Sequence, residues 1–445
     1  MDTDSGHTTQ TAQIARGPLE AGAGDTTARR PAQERFGPLL AEFRARFEAR
    51  LSAWLAARRR AVEAELPEAL PLVDAAAGLA TAGGKRLRPA LVWFSHLACG
   101  GLATAPGADR ATPSAGGAAS GRGEAAFAIG VAVELFHAYL LVHDDVMDHS
   151  AVRRGEPAAH ERFAALHRER GWSGDADDFG RSAAILVGDL AHTWAAELFT
   201  AGAGNAGPRG GGQPGGRLDG GHPVGHTAGD AGQRAELERI FAALSAEVIG
   251  GQLLELRLAA QGRASEDDLL RVLRLKSGRY SVERPIELGA VLAGAPAATR
   301  TALARYGRAL GEAFQLQDDV LGLFGDAGAV GKPVGGDLAG GKYTYLVHLA
   351  LERLDPARAA RLRDALGRDD LAPAEAAAAA EAIRDSGALD RVREMIDERL
   401  DEARAALESA FGAGSAAAGD PRDGTAADGR DFLAGLIDGL GSRRR

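Results

Sequence analysis

Apolar residues recur at three- and four-residue steps through most of this chain, starting near Phe36. Phe36, Leu39, Leu40, Phe43, Phe47, Leu51 and Leu55 fall on one helical face. The same spacing predicts further helices over about 68–81, 88–99, 124–148, 181–200, 232–260, 265–275, 277–293, 297–325, 341–352, 357–366, 372–385 and 387–411. Alternating Val/Ile/Thr strands are almost absent. The pattern predicts an all-α fold.

Three Gly-rich stretches break the periodicity. Residues 100–122 and 202–231 cannot bury enough apolar surface to hold a fixed structure, and they read as surface insertions within one domain. Residues 412–445 read as a mostly flexible C-terminal tail, with Arg443, Arg444 and Arg445 a solvated end. Residues 1–34, rich in Thr, Gly and Ala, read as a disordered leader. The domain expected between them spans 35–411. Its longest apolar run, 125–142, approaches bilayer length but holds Glu134 and His137 and ends on His143, Asp144 and Asp145. Such groups are costly in lipid, so a buried core helix is expected and no transmembrane segment.

Composition narrows the partners. A formal charge of −9 over 445 residues gives no reason to expect nucleic-acid binding. Cys99 is the only cysteine, and the N-terminus lacks the apolar stretch of a signal peptide, so a reducing, cytoplasmic location is expected.

Candidate chemistry comes from two acidic segments. His143-Asp144-Asp145-Val146-Met147-Asp148 places Asp144 and Asp148 four apart, on one helical face, where like charges repel. Gln315-Leu316-Gln317-Asp318-Asp319-Val320 sets a second cluster beside an apolar face, where buried carboxylates need a partner. Its fifth position is Gly322, so it has one carboxylate fewer.

Basic residues cluster separately, in Gly83-Gly84-Lys85-Arg86-Leu87-Arg88-Pro89, in Arg153-Arg154, at Lys276-Ser277, and in Gly331-Lys332 leading to Gly341-Lys342. Arginine forks and lysine point charges suit phosphate, and adjacent glycines admit close backbone approach. Acids and cations in one core imply a mediator, Mg²⁺ bound to diphosphate, because Mg²⁺ takes one or two carboxylates and completes its shell with water and phosphate.

In this order, the motifs resemble those of trans-isoprenyl diphosphate synthases of the polyprenyl synthetase family, over about Phe36 to Phe411 outside the insertions. The resemblance implies a bundle of long helices around a deep cavity, as a homodimer. It implies that Asp144 and Asp148 bind two Mg²⁺ with support from Asp145, and that Asp318 binds a third; Mn²⁺ could substitute. Arg153, Lys276, Lys332 and Lys342 would hold the allylic diphosphate, and Ser277 and Gln315 would approach the reacting carbons. Lys85, Arg88, His137 and Arg154 would hold isopentenyl diphosphate. Gln252, Glu255 and Asp319 would line the metal-water shell. Tyr139 and Leu140, five and four residues before Asp144, would set chain length and favour a geranylgeranyl product. A farnesyl or longer-chain synthase, an ionising terpene cyclase, a non-catalytic synthase partner and a metal-dependent phosphohydrolase stand as alternatives. The paired basic motifs argue against the cyclase, and the complete first acidic motif argues against the partner.

Overall fold

The computed structural model describes residues 32–101, 117–204, 231–261, 263–324, 338, 340–368, 370–412 and 424–442, which belong to one compact unit. The helices are α1 (Ala32–Glu65), α2 (Leu70–Thr81), α3 (Leu87–Ala98), α4 (Gly117–Met147), α5 (Ala159–Glu169), α6 (Ala176–Gly204), α7 (Ala231–Gln261) and α8 (Glu266–Val272). A π-helical segment, Leu273–Glu283, continues α8 into α9 (Arg284–Ala293). Then come α10 (Ala297–Phe324), α11 (Tyr345–Arg353), α12 (Pro356–Ala365), α13 (Pro373–Asp385), α14 (Ala388–Phe411) and α15 (Gly424–Gly441). The fold is all-α. Among the described residues, the strands are a two-residue pair, Val152–Arg153 against Glu156–Pro157.

Helix α4 is long and apolar enough to cross a membrane, but most of it lies inside the protein, packed on α6 and α3. It is a core helix. Phe136, Ile129 and Leu135 on it are fully buried, and Glu134 finds a buried partner in Arg86, whose Nη1 donates to it at 2.6 Å.

Two expectations are corrected. Residues 424–441 are not a flexible tail, because Phe432, Leu433, Leu436, Ile437 and Leu440 make one buried face. Phe432 stacks on Phe94 at 4.0 Å and also meets Phe36 of α1. Residues 117–122 belong to α4 and not to an insertion. Helix α5, absent from the periodic reading, packs along α6 through Phe163 and Ala164. The expected leader up to residue 31 and most of both insertions lie outside the described residues.

Candidate active site

Helix α4 runs through the core and delivers Asp144 and Asp145 at its end, with Asp148 just beyond. The backbone N–H of Asp148 donates to the Asp144 carbonyl at 2.8 Å, which keeps the helical spacing of the two side chains. Asp145 is buried and points elsewhere: Arg153 Nε donates to it at 2.8 Å, and Arg153 Nη2 makes a second contact. Burial pushes the Asp145 carboxyl above its ordinary range even with that guanidinium beside it. Partial burial and repulsion from Asp144 push Asp148 the same way, against the opposing fields of Lys276 and Lys342.

The short strand pair then links two halves of the site. Its turn residues, Arg154 and Gly155, both have positive φ, the pattern of a two-residue hairpin turn that matches strand twist. Arg153, before the turn, reaches α4. Arg154, within it, donates to the Gly83 carbonyl at 2.8 Å and lies beside Gly84. One hairpin thus fixes the Gly-rich loop against the acidic helix end.

That loop leads into α3 through Arg86, whose φ of +50° is unusual for a side-chain-bearing residue. Two residues on, Arg88 Nη2 donates to Tyr280 Oη at 2.7 Å and Ser281 Oγ at 2.8 Å. Its guanidinium lies over the Tyr280 ring, while its Nε is buried without a hydrogen-bond partner. Tyr280 Oη lies 3.3 Å from His137 Nδ1. Burial, reinforced by Arg88, Arg154, Arg153 and Arg86, holds His137 well below its ordinary pKa, so the ring is neutral. Lys85 is exposed and borders an apolar hollow with Phe314 and Leu436.

Lys276 sits on the π-helical segment, the irregular geometry often found where a helix serves a site. Its Nζ contacts Glu255 and lies 3.6 Å from Asp144 Oδ1. Burial alone would lower the ammonium, but Glu255, Asp144 and Asp148 outweigh it and raise its pKa. Two close approaches place this segment. A Cβ on Gly251 would meet the Lys276 backbone N at 2.7 Å, and one on Gly311 would meet the Gly278 carbonyl at 2.7 Å. The segment therefore packs backbone to backbone on α7 and α10. Ser277 is half-buried beside Lys276.

Helix α10 carries Gln315, Asp318 and Asp319 in its last turns. Gln315 Nε2 donates to Asp319 at 2.8 Å, and Asp318 is exposed. Lys342 is exposed but close enough to Asp148 for its charge to be felt there. Lys332 lies outside the described residues. Tyr139 packs edge-on to His143 at 4.7 Å and near His192 and Phe136, and Leu140 packs against the core beside it.

Among the described residues, no three acidic or imidazole groups form a preassembled cation cage. The site nevertheless fits a hydrated divalent cation. An ammonium already lies between Asp144 and Glu255, burial and the neighbouring Asp144 charge disfavour the ionised Asp148 carboxylate, and Gln252 Nε2 is buried without a partner. A metal that keeps its waters needs only one or two carboxylates and polar groups for that water.

The sequence did not mark Tyr280, Ser281 or the Arg86–Glu134 pair as part of the site. Glu134, a charge within an apolar run, was the available signal for the pair, since such a group must find a buried partner.

The described side chains thus set acidic groups at the end of one core helix and basic groups across a hairpin from it. Residues 71–383 match the family model described as polyprenyl synthetase. The chain belongs to that family. It is 30% identical to a short chain isoprenyl diphosphate synthase of Methanothermobacter thermautotrophicus, over 67% of this chain and 73% of the relative. It is 31% identical to a geranylfarnesyl diphosphate synthase of Aeropyrum pernix, over 72% and 81%. A crystal structure of geranylgeranyl pyrophosphate synthase from Corynebacterium glutamicum, complexed with isoprenyl diphosphate and magnesium, is 30% identical with a TM-score of 0.69, covering 89% of this chain and 99% of that one.

Proposed function

We propose that this chain condenses isopentenyl diphosphate head-to-tail with an allylic diphosphate, releasing diphosphate and extending the prenyl chain to twenty carbons. The observation that carries the reading is the junction at the hairpin: Arg153 bound to the acidic helix end and Arg154 bound to the Gly83 loop. It sets two differently built anion sites next to one another. One is acidic and lysine-bearing, suited to a diphosphate held through cations. The other, with Arg88, Arg154 and neutral His137, is suited to a diphosphate held directly.

Asp144, Asp148 and Asp318 would hold Mg²⁺, three ions in all or Mn²⁺ in their place, with Gln252, Glu255 and Asp319 binding their waters. When bound, the metal neutralises charge on the departing diphosphate. Lys276, Arg153, Lys342 and Lys332 orient that leaving group, and Lys276 moves from Glu255 and Asp144 to phosphate oxygen. Gln315 and Ser277 present polar atoms toward the allylic carbons. Arg88, Arg154, Lys85 and His137 hold isopentenyl diphosphate so that its double bond attacks the allylic carbon as the carbon–oxygen bond to diphosphate breaks, and the cation so formed loses a proton to the departed diphosphate to give the new alkene. The apolar faces of α4 and α10 exclude water from the cation.

Tyr139 and Phe136, on the helix that carries Asp144, cluster with His192 of α6, and Tyr139 would close the tail pocket at twenty carbons. Ile185 and Leu186 on α6 are 44% and 54% exposed in the single chain, which supports pairing of two copies there.

The test is incubation of the purified protein with Mg²⁺, labelled isopentenyl diphosphate and each of the five-, ten- and fifteen-carbon allylic starters, followed by chain-length analysis. A single twenty-carbon product is expected. Turnover of the allylic diphosphate without isopentenyl diphosphate, giving a hydrocarbon or an alcohol, would overturn the reading.

A further inference from the structure

Tyr280 joins the two groups that would hold isopentenyl diphosphate, and none of the motifs that carry the family resemblance includes it. Its ring is buried beneath Arg88, and its hydroxyl lies between Arg88 Nη2 at 2.7 Å and His137 Nδ1 at 3.3 Å. The direction of the first bond follows from the donor inventory. A guanidinium can only donate, so the Arg88 bond occupies a lone pair on the tyrosine oxygen. The hydroxyl hydrogen, which a guanidinium cannot accept, is available to His137 Nδ1. A neutral imidazole accepting at Nδ1 must carry its proton on Nε2.

We infer that Tyr280 is a positioning residue for the second substrate: its hydroxyl locks His137 in the Nε2–H tautomer and holds Arg88 level, so that both present donors to one diphosphate. The inference rests on the reading above, in which His137 and Arg88 meet isopentenyl diphosphate. Two further features support it. The Arg88 Nε is buried with no partner, a donor waiting for an acceptor. The charged groups around the ring, Arg88, Arg154, Arg153 and Arg86, all disfavour a second proton on it. The imidazole must therefore donate as a neutral group, and only one of its tautomers can do so away from Tyr280.

Tyr280→Phe keeps the ring under Arg88 and removes only the hydroxyl. One hydrogen bond to a charged group contributes about 1.5–3 kcal/mol, so KM for isopentenyl diphosphate should rise roughly tenfold or more. The kcat and the KM for the allylic diphosphate should stay within about twofold, since neither depends on this hydroxyl. In a His137→Ala background the same substitution should have a smaller effect than in the parent, because one of the two groups it orients is gone. The nitrogen-15 shifts of the His137 ring, measured in the full chain without substrate, should report the Nε2–H tautomer in the parent and a tautomer mixture in Tyr280→Phe.

An unchanged KM for isopentenyl diphosphate in Tyr280→Phe would overturn the inference. So would a full tenfold effect persisting in the His137→Ala background, or identical ring shifts in parent and variant. Absence of any condensation by the parent protein would instead overturn the underlying reading, and the ring shifts, which need no turnover, separate the two failures.

Discussion

Glu134→Gln tests how the core holds the Gly83–Gly84 loop in shape. Glu134 accepts from Arg86 at 2.6 Å, with the two side chains 7% and 1% exposed. Arg86 Nη2 is buried without a hydrogen bond, and the nearest other acid, Glu48, is 3.5 Å away and well exposed. Glutamine keeps the shape but leaves the buried guanidinium with only the exposed Glu48 carboxylate, 3.5 Å from its Nε, as counter-charge, which costs roughly 3–5 kcal/mol. Arg86 also holds a left-handed backbone, a conformation of order 1–3 kcal/mol above the ordinary one for a non-glycine residue. At about 2–4 °C per kcal/mol for large domains, the melting temperature should fall by roughly 6–20 °C.

Function should change selectively. The loop that Arg86 anchors carries Lys85 and Arg88, whereas Asp144, Lys276 and Gln252 are held by other elements. KM for isopentenyl diphosphate should therefore rise while KM for the allylic substrate stays near the parent value, measured well below the lowered melting temperature. Replacing both partners, Arg86→Met with Glu134→Leu, should restore most of the stability, because an apolar pair of similar volume is often as stable as a buried ion pair. It should not restore the KM. A single variant that melts within about 2 °C of the parent would refute the reasoning, since so small a shift corresponds to no more than about 1 kcal/mol and leaves no room for the loss of a buried ion-pair partner.

Three other outcomes follow from the same geometry. Asp144→Ala should abolish condensation yet leave helicity unchanged and stability within about 1 kcal/mol, because Lys276 keeps its contact with Glu255 and repulsion on Asp148 is removed; circular dichroism and an activity assay decide it. Tyr139→Ala should shift products beyond twenty carbons, read by chain-length analysis, and an unaltered distribution would remove Tyr139 as the floor. His137 is held below its ordinary value of 6.5 mainly by burial, so below that pH the unfolded chain binds a proton that the folded chain refuses. Stability should fall as pH drops through that value, by at most about 1.4 kcal/mol per pH unit from this group, and His137→Gln should flatten that part of a melting-temperature profile.

Much of the acidic half was legible because it violates a local rule. Asp144 and Asp148 place like charges one turn apart on the last turn of an apolar helix, which costs stability and so points to a ligand. The basic half was legible only as separate clusters. Their meeting depends on the Arg154–Gly155 turn, and short-range periodicity says nothing about where such a turn delivers its neighbours. Tyr280 was hidden for a sharper reason. It follows Lys276 by four residues, which in an α-helix would put both side chains on one face. In the π-helical segment the two diverge, Lys276 to Asp144 and Glu255, Tyr280 to Arg88 and His137. A reading built on a period of 3.6 cannot register that change.

Helix α15 shows the opposite failure, where a composition rule misled. Its glycines resembled those of the insertions, and glycine lowers helix propensity by about 1 kcal/mol each relative to alanine. Yet Gly429 is where α15 crosses α3: a Cβ there would stand 2.3 Å from the Ala98 backbone N and 2.5 Å from the Phe94 carbonyl. The close crossing brings Phe432 onto Phe94, and Tyr306 of α10 donates to the Leu433 carbonyl at 2.7 Å. The apolar positions of α15 recur at three- and four-residue steps, as a packed helix requires, and that periodicity was the better guide. A glycine signals flexibility only where no neighbouring backbone occupies the space a side chain would fill. In this chain, Gly251, Gly311 and Gly429 each mark a crossing of helices, two of them beneath Lys276 and one beneath the C-terminal clamp on α3.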